Sequence, residues 1–191
     1  MSTGNPTSPI TDLTFPHRWQ AEILASRPLI LPQHHHIYPL YAEEIERGAL
    51  EVLIRSDQDT QPFLATCALG FRDPAVPTGL WSAPNPDEIC VVSGGYAYLI
   101  DTTHRTRFTM IVFRPVLEVR PLLEQSLLLF VGHHALLAWG ANGRAWQSEK
   151  LSDEGLSITS IEGANLHGQG WNMLTDKETP FALDLKTGVR I

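Results

Sequence analysis

The sequence predicts a mainly β domain of repeated antiparallel strand meanders, arranged as propeller-like blades or as a two-sheet sandwich or barrel, with a short helical N-terminal extension. Three observations carry that expectation. From about residue 48 the apolar residues recur with a period of two, as in ALEVLIRS, where Leu50, Val52 and Ile54 share one face and Glu51 takes the other. Short strand-like runs are then separated by clusters of Gly, Pro, Asp and Asn, and no helical period returns. The dipeptide Asn142-Gly143 accepts the positive φ of a tight hairpin turn.

Taken in order, residues 1–16 read as a flexible tail, because Pro6, Pro9 and Pro16 stand among small polar residues with little to bury. Residues 17–47 read as a short helical and loop extension. In it HRWQAEILAS places Trp19, Ile23 and Leu24 on one face before Pro28, and YPLYAEEIERG offers a second helical turn before Gly48. Residues 48–191 read as one all-β domain, with strands that include QPFLATCAL, EICVVS, YAYLID, LLLFVG, HALLAWG, RAWQSE, LSITSIEG and PFALDL. EICVVS and LLLFVG are apolar on both faces and must be covered on both, which makes them central strands. The Asn-Gly turn folds HALLAW onto RAWQSE and is expected to bring Trp139 and Trp146 together.

Gly94, Gly132 and Gly170 recur every 38 residues, each after one strand-like run and before another. Such a period suits small sheets laid down one after another, each unable to bury both faces alone. On residues 80 to 191, notably AWGANGRAWQSEKLSDEG followed by FALDLKTG, the pattern resembles blades of kelch or quinoprotein β-propellers. The Trp-Asp signature of other propeller blades is missing, and 191 residues are few for a closed ring. The whole chain also resembles uncharacterised bacterial proteins, a resemblance that implies no function.

Composition narrows the partners. A formal charge of −7, with 14 basic residues spread among 21 acidic ones, argues against a nucleic-acid backbone as ligand. No apolar run reaches membrane-spanning length and the first residues do not read as a secretory leader, so the expectation is a soluble cytoplasmic protein. Cys67 and Cys90 sit in apolar strand-like segments and read as two buried thiols, with a disulfide open if their strands are neighbours.

Several residues are candidates for a site. His34 and His36 in PQHHHIYP share a face if extended and could hold a divalent metal with a third ligand such as His104, His167 or Asp176. The alternative is a polar surface or interface segment. His133 and His134 are expected to point to opposite faces of a strand, one of them toward a pocket, although Gly132 allows a bulge. Trp81 in GLWSAPNPDE is placed in a rigid exposed loop fit for partner contact, or else at a core edge. Trp171, His167 and Asp176 complete the contact candidates. The glycines of SGGYAYL and LHGQGW precede strands and lack a P-loop lysine, so they read as bends or close strand approaches. No G-x-S-x-G elbow activates a serine, Ser152 and Ser157 have no visible partner, and no carboxylate pair is apparent.

The preferred function on these grounds is a non-catalytic binding or protein-interaction module, with a protein or small-molecule ligand and a homo-oligomer as the assembly to test. The alternative is a small hydrolase or metal-dependent enzyme whose pocket draws on His34, His36, His133, His134 and His167 with Asp176 or Glu154. A purely structural role stands third.

Overall fold

The computed structural model describes residues 8–40, 42–59 and 61–191, and of residues 42–44 the backbone alone. It forms four sheets. Sheet I orders β2 (Trp19–Ile23), β4 (Ala49–Ser56), β5 (Phe63–Ala68) and β3 (His35–Tyr38). Sheet II orders β1 (Ile10–Asp12), β6 (Gly79–Ser82), β7 (Glu88–Ser93), β8 (Tyr96–Asp101) and β9 (Phe108–Met110). Sheet III is the meander β10 (Glu118–Leu122), β11 (Leu127–Val131), β12 (Leu136–Gly140) and β13 (Gly143–Gln147). Sheet IV is β14 (Leu156–Glu162), β15 (Asn165–Asn172) and β16 (Lys177–Asp184).

Alternation along each strand builds three apolar layers between these sheets. Val52, Ile54, Phe63, Ala65 and Cys67 of sheet I meet Leu80, Ile89, Val91, Tyr98 and Ile100 of sheet II. The opposite face of sheet II sends Trp81, Cys90, Val92 and Leu99 against Leu128, Phe130, Leu137 and Trp139 of sheet III. The far face of sheet III packs Leu129, Val131, Leu136, Ala138 and Trp146 on Leu166, Phe181 and Leu183 of sheet IV. The sheets therefore stack in the order I, II, III, IV. Sheets II and III are covered on both faces, as the two-sided apolarity of EICVVS and LLLFVG requires. Among the described residues no apolar layer joins sheet IV back to sheet I, so the stack is neither a closed barrel nor a closed propeller.

The helical extension is corrected. HRWQAEILAS contributes strand β2, not a helix, in register with Val52 to Ser56 of β4. Trp19, Ala21 and Ile23 all pack into the first layer, a period of two that WQAEI fits as well as the helical one. The edge of β4 needs a hydrogen-bond partner, and β2 supplies it. PQHHHIYP likewise yields strand β3, parallel to β5. The second helical expectation survives as a single 3-10 helix, Ala42–Arg47. Of the expected tail, residues 1–7 lie outside the described residues. Ile10–Asp12 forms strand β1 parallel to β6, and Phe15 is buried between sheets II and III.

A hairpin joins β12 to β13 as expected, but its turn is Ala141-Asn142: Gly143, at φ 102, already opens β13 opposite Gly140, and Asn142 does not take the positive φ expected of it. The expected meeting of its tryptophans is corrected, since Trp139 enters the II–III layer and Trp146 the III–IV layer. The 38-residue period is structural at two of its three glycines. Gly94 and Gly132 both follow the second strand of their meanders, while Gly170 lies inside β15, where an added Cβ would meet the Leu151 carbonyl. Cys67 and Cys90 are free, buried thiols in different layers, Cys67 between sheets I and II and Cys90 between sheets II and III, so they do not pair. Burial pushes both well above the ordinary thiol range.

Candidate functional site

Trp81 drops out as a contact residue. It lies in β6, 2% exposed, because β6 is flanked by β1 and β7 and faces sheet III. The two prolines that follow it shape the turn to β7 and leave the tryptophan in the core.

His34 and His36 do come close on one edge of sheet I. The His34 Nε2 pairs with Gln61 Oε1 at 2.9 Å. The His36 ring stacks on Tyr38 and meets Phe63 edge-on. Burial holds the His36 imidazole below its ordinary range, and the Arg105 guanidinium, His34 and His35 add to that. Arg105 arrives from the β8–β9 turn of sheet II, lies over the Phe63 ring and pairs with Asp59. A guanidinium beside the two imidazoles opposes a second cation there. Among the described residues no three His, Cys, Asp or Glu side chains converge as a metal site.

His133 and His134 are both exposed and occupy the β11–β12 turn, which corrects the expectation of a strand with one imidazole inside. Their rings lie 6.1 Å apart. His134 binds the linker between sheets III and IV: its carbonyl accepts from Leu151 N at 2.7 Å, and its Nδ1 meets the Ser152 carbonyl at 3.2 Å. Ser152 is therefore next to a histidine, but the bond runs to its carbonyl. Its Oγ donates to the Gly155 carbonyl and accepts from Trp171 N at 2.9 Å. A hydroxyl engaged in this way fastens backbone and lacks a base to activate it.

The same linker reaches Trp171. Asp153 N donates to the Trp171 carbonyl, and Asp153 Oδ2 accepts from Met173 N at 2.8 Å. Lys150 lies 2.7 Å from Asp153 Oδ1 and, with the Met173 N–H, holds that carboxyl below its ordinary range. The result is a small recess of about 160 Å³ lined by Lys150, Ser152, Asp153, Trp171, Asn172 and Thr179. Asp176 closes the adjoining β15–β16 turn at φ 54, a backbone state Asp tolerates. In that turn Met173 is 64% and Leu174 95% exposed. The structure thus gathers His134 and Trp171 on one linker at the III–IV rim, with Asp176 in the next turn. His167 sits mid-strand on β15, opposite Ala182 and Ser160.

Two polar groupings escaped the sequence reading. Glu88 and Asp101 stand directly opposite each other across β7 and β8. Glu88 Oε2 accepts from Trp139 Nε1 at 2.9 Å, and both carboxylates border a recess of about 320 Å³ with Arg107 and Thr109. Burial raises Glu88, the Trp139 bond works against that, and Asp101 adds to it. Burial also acts to raise Asp101, but hydrogen bonds from Thr103 and His104 outweigh it and leave the group below its ordinary range. A two-residue turn at Gly94-Gly95 pairs residues equidistant from it, so this juxtaposition was available from SGGYAYL. The second grouping lies on the outer face of sheet I, where Thr66 Oγ1 donates to Glu51 Oε2 at 2.5 Å and meets His35 Nε2 at 2.9 Å.

No helix of the described residues is long and apolar enough to cross a membrane. No protein-family model matches the chain, and no curated protein matches it. Among solved structures it is weakly similar to the N-terminal domain of Nup159, at 12% identity and a TM-score of 0.36, covering 94% of this chain and 52% of that one. A second likeness, to S. cerevisiae Dbp5 bound to Nup159, Gle1, IP6 and ADP, has 9% identity, a TM-score of 0.23 and coverage of 95% and 68%. The chain spans about half the length of the first, and likenesses this slight assign neither fold nor function.

Proposed function

We propose that the protein is a non-catalytic binding module that takes a protein ligand at the rim between sheets III and IV. The observation that carries this reading is the turn bearing Met173 and Leu174, two large apolar side chains in solvent beside Trp171 and a polar recess. An apolar anchor next to fixed hydrogen-bonding groups is the composition of a contact hot spot. The hydrolase reading has less support, since Ser152, Asp153 and His134 are all engaged in fastening backbone.

Selection of a phage-displayed peptide library on the full chain tests the proposal. Enriched peptides are expected to lose at least about tenfold in affinity, roughly 1.4 kcal/mol, on Leu174→Ser or Met173→Ser. Peptides indifferent to both substitutions would place recognition elsewhere and overturn it.

A further inference from the structure

The two ends of the stack are finished differently. The outer face of sheet IV is mostly polar, carrying Ser157, Asn165, His167, Gln169, Glu178 and Asp184 along with Trp171, Pro180 and Ala182, while Leu166, Phe181 and Leu183 point inward. Such a face suits a terminal layer in water.

Sheet I ends otherwise. β2 and β3 run in the same direction at its two edges, so residues 24–34 must cross the sheet. The inner face is occupied by sheet II, which leaves the outer face for the crossing. The outward Leu64 and Thr66 are fully buried, in keeping with that cover. From this crossing Leu29, Ile30 and Leu31 project, 105%, 88% and 40% exposed. Pro28 and Pro32 bracket them and restrict the backbone. Next to this tip opens a recess of about 490 Å³, lined by Ile23, Leu24, Ile45 and Leu50 with Arg27 and Glu51 at its polar side.

We propose that this end of the stack is a homodimer interface, in which the Leu29–Leu31 tip of each copy enters the recess of the other about a two-fold axis. A two-fold interface must be self-complementary, and an apolar knob beside an apolar hole on one surface meets that condition. Among the described residues, the tip does not enter the recess of its own chain. The recess is built in part from Leu24 to Arg27, only two to five residues before the tip, and Pro28 prevents the short return that self-insertion requires. Charge agrees with the pairing. Arg27 flanks the tip, and the recess carries Glu51, so a two-fold turn carries each Arg27 toward the other copy's Glu51. Residues 1–7, MSTGNPT, offer no large apolar side chain besides Met1 to fill the recess instead. Because the tip is held by prolines, little conformational freedom is lost on docking.

Sedimentation velocity on the full chain over a concentration series is expected to show twice the 21.3 kDa chain mass. Ile30→Asp at the tip and Ala25→Trp in the recess should each return the chain mass, with circular dichroism unchanged, while removal of residues 1–7 should leave the dimer intact. In a mixture of ¹⁵N-labelled and unlabelled chains, a photo-reactive benzoylphenylalanine at position 30 should cross-link to residues 23–25 or 45–50 of the other copy. A chain that stays monomeric at every concentration overturns the proposal. So does a dimer that survives Ala25→Trp, or a dimer lost on removal of residues 1–7. A monomer that floats with phosphatidylcholine vesicles in a tip-dependent way would assign the tip to lipid and overturn it equally.

Discussion

Trp139 and Trp146 belong to the two strands of one hairpin yet point to opposite sides of sheet III, Trp139 toward sheet II and Trp146 toward sheet IV. The register explains it. Trp139 pairs with Arg144 and Ala138 with Trp146, so Ala145 is an extra residue in β13 and the strand changes face there. In a regular ladder Trp146 would lie opposite Leu137, on the sheet II side. The bulge instead sends it into the III–IV layer, where its Nε1 donates to the Leu185 carbonyl at 2.7 Å.

Removal of that indole should therefore weaken the III–IV layer selectively. Trp146→Ala is expected to cost about 3–5 kcal/mol, read from urea unfolding, while Trp146→Phe, which keeps most of the ring volume, costs less. A loss under about 1 kcal/mol for Trp146→Ala would mean that sheet IV does not depend on this contact.

Strand content was legible in the sequence wherever the alternation ran long, as in ALEVLIRS, or where a two-residue turn fixed the register, as at Gly94-Gly95. Short segments were not legible. WQAEI satisfies both the helical and the strand period, and the choice was made by β4, about 30 residues further on. Of the two readings of Trp81 the exposed loop failed and the core position held; the choice was not legible because the strand that covers its edge, β1, comes from residues that look like a tail. The bulge at Ala145 left no mark in the pattern. The candidate site was legible only as scattered residues, because His134, Ser152 and Trp171 meet through backbone bonds of a linker that has no motif.

Glu88 should make stability depend on acidity. Its folded-state titration lies above the ordinary carboxylate range because the group is half-buried, with Asp101 opposite. The folded state thus favours the protonated form. That contribution is fully present below the ordinary Glu range near 4.3 and is lost as pH rises through the raised value. Glu88→Gln keeps an acceptor for Trp139 Nε1 and removes the charge. It should equal or exceed the native protein in urea midpoint at neutral pH and lose that advantage in acid. A variant consistently weaker at neutral pH would show that the charge itself is needed.

The chain of hydrogen bonds from His35 through Thr66 to Glu51 should stabilise the outer face of sheet I. Thr66 is fully buried, so Thr66→Val leaves a carboxylate and an imidazole without their shared partner. The expected cost is about 1–3 kcal/mol, with Thr66→Ser recovering most of it. Burial and Arg27 hold the His35 imidazole below its ordinary value, and Glu51 opposes them in part. The neutral ring is thus the folded form, and the stability it contributes is lost as pH falls through the lowered value. Urea midpoints of the native protein and both variants between pH 7 and pH 5 would check this, and an indifferent Thr66→Val would refute it.

Gly79 should decide whether β1 stays in the fold. It pairs with Ile10, and a Cβ added to it would lie 2.0 Å from the Ile10 carbonyl oxygen. Backbone cannot yield at that distance as a flexible side chain would, so Gly79→Ala must push β1 off the edge of sheet II. The damage should remain local. β1 is three residues long with Ile10 half-exposed, and the next anchor, buried Phe15, is separately held by its N–H to Ser82 Oγ at 2.8 Å. The expected signature is faster amide exchange at Ile10–Asp12, with β7 and β8 still protected and a global loss of about 1–3 kcal/mol. Unchanged exchange at Ile10–Asp12 in Gly79→Ala would contradict the parallel pairing of β1 with β6.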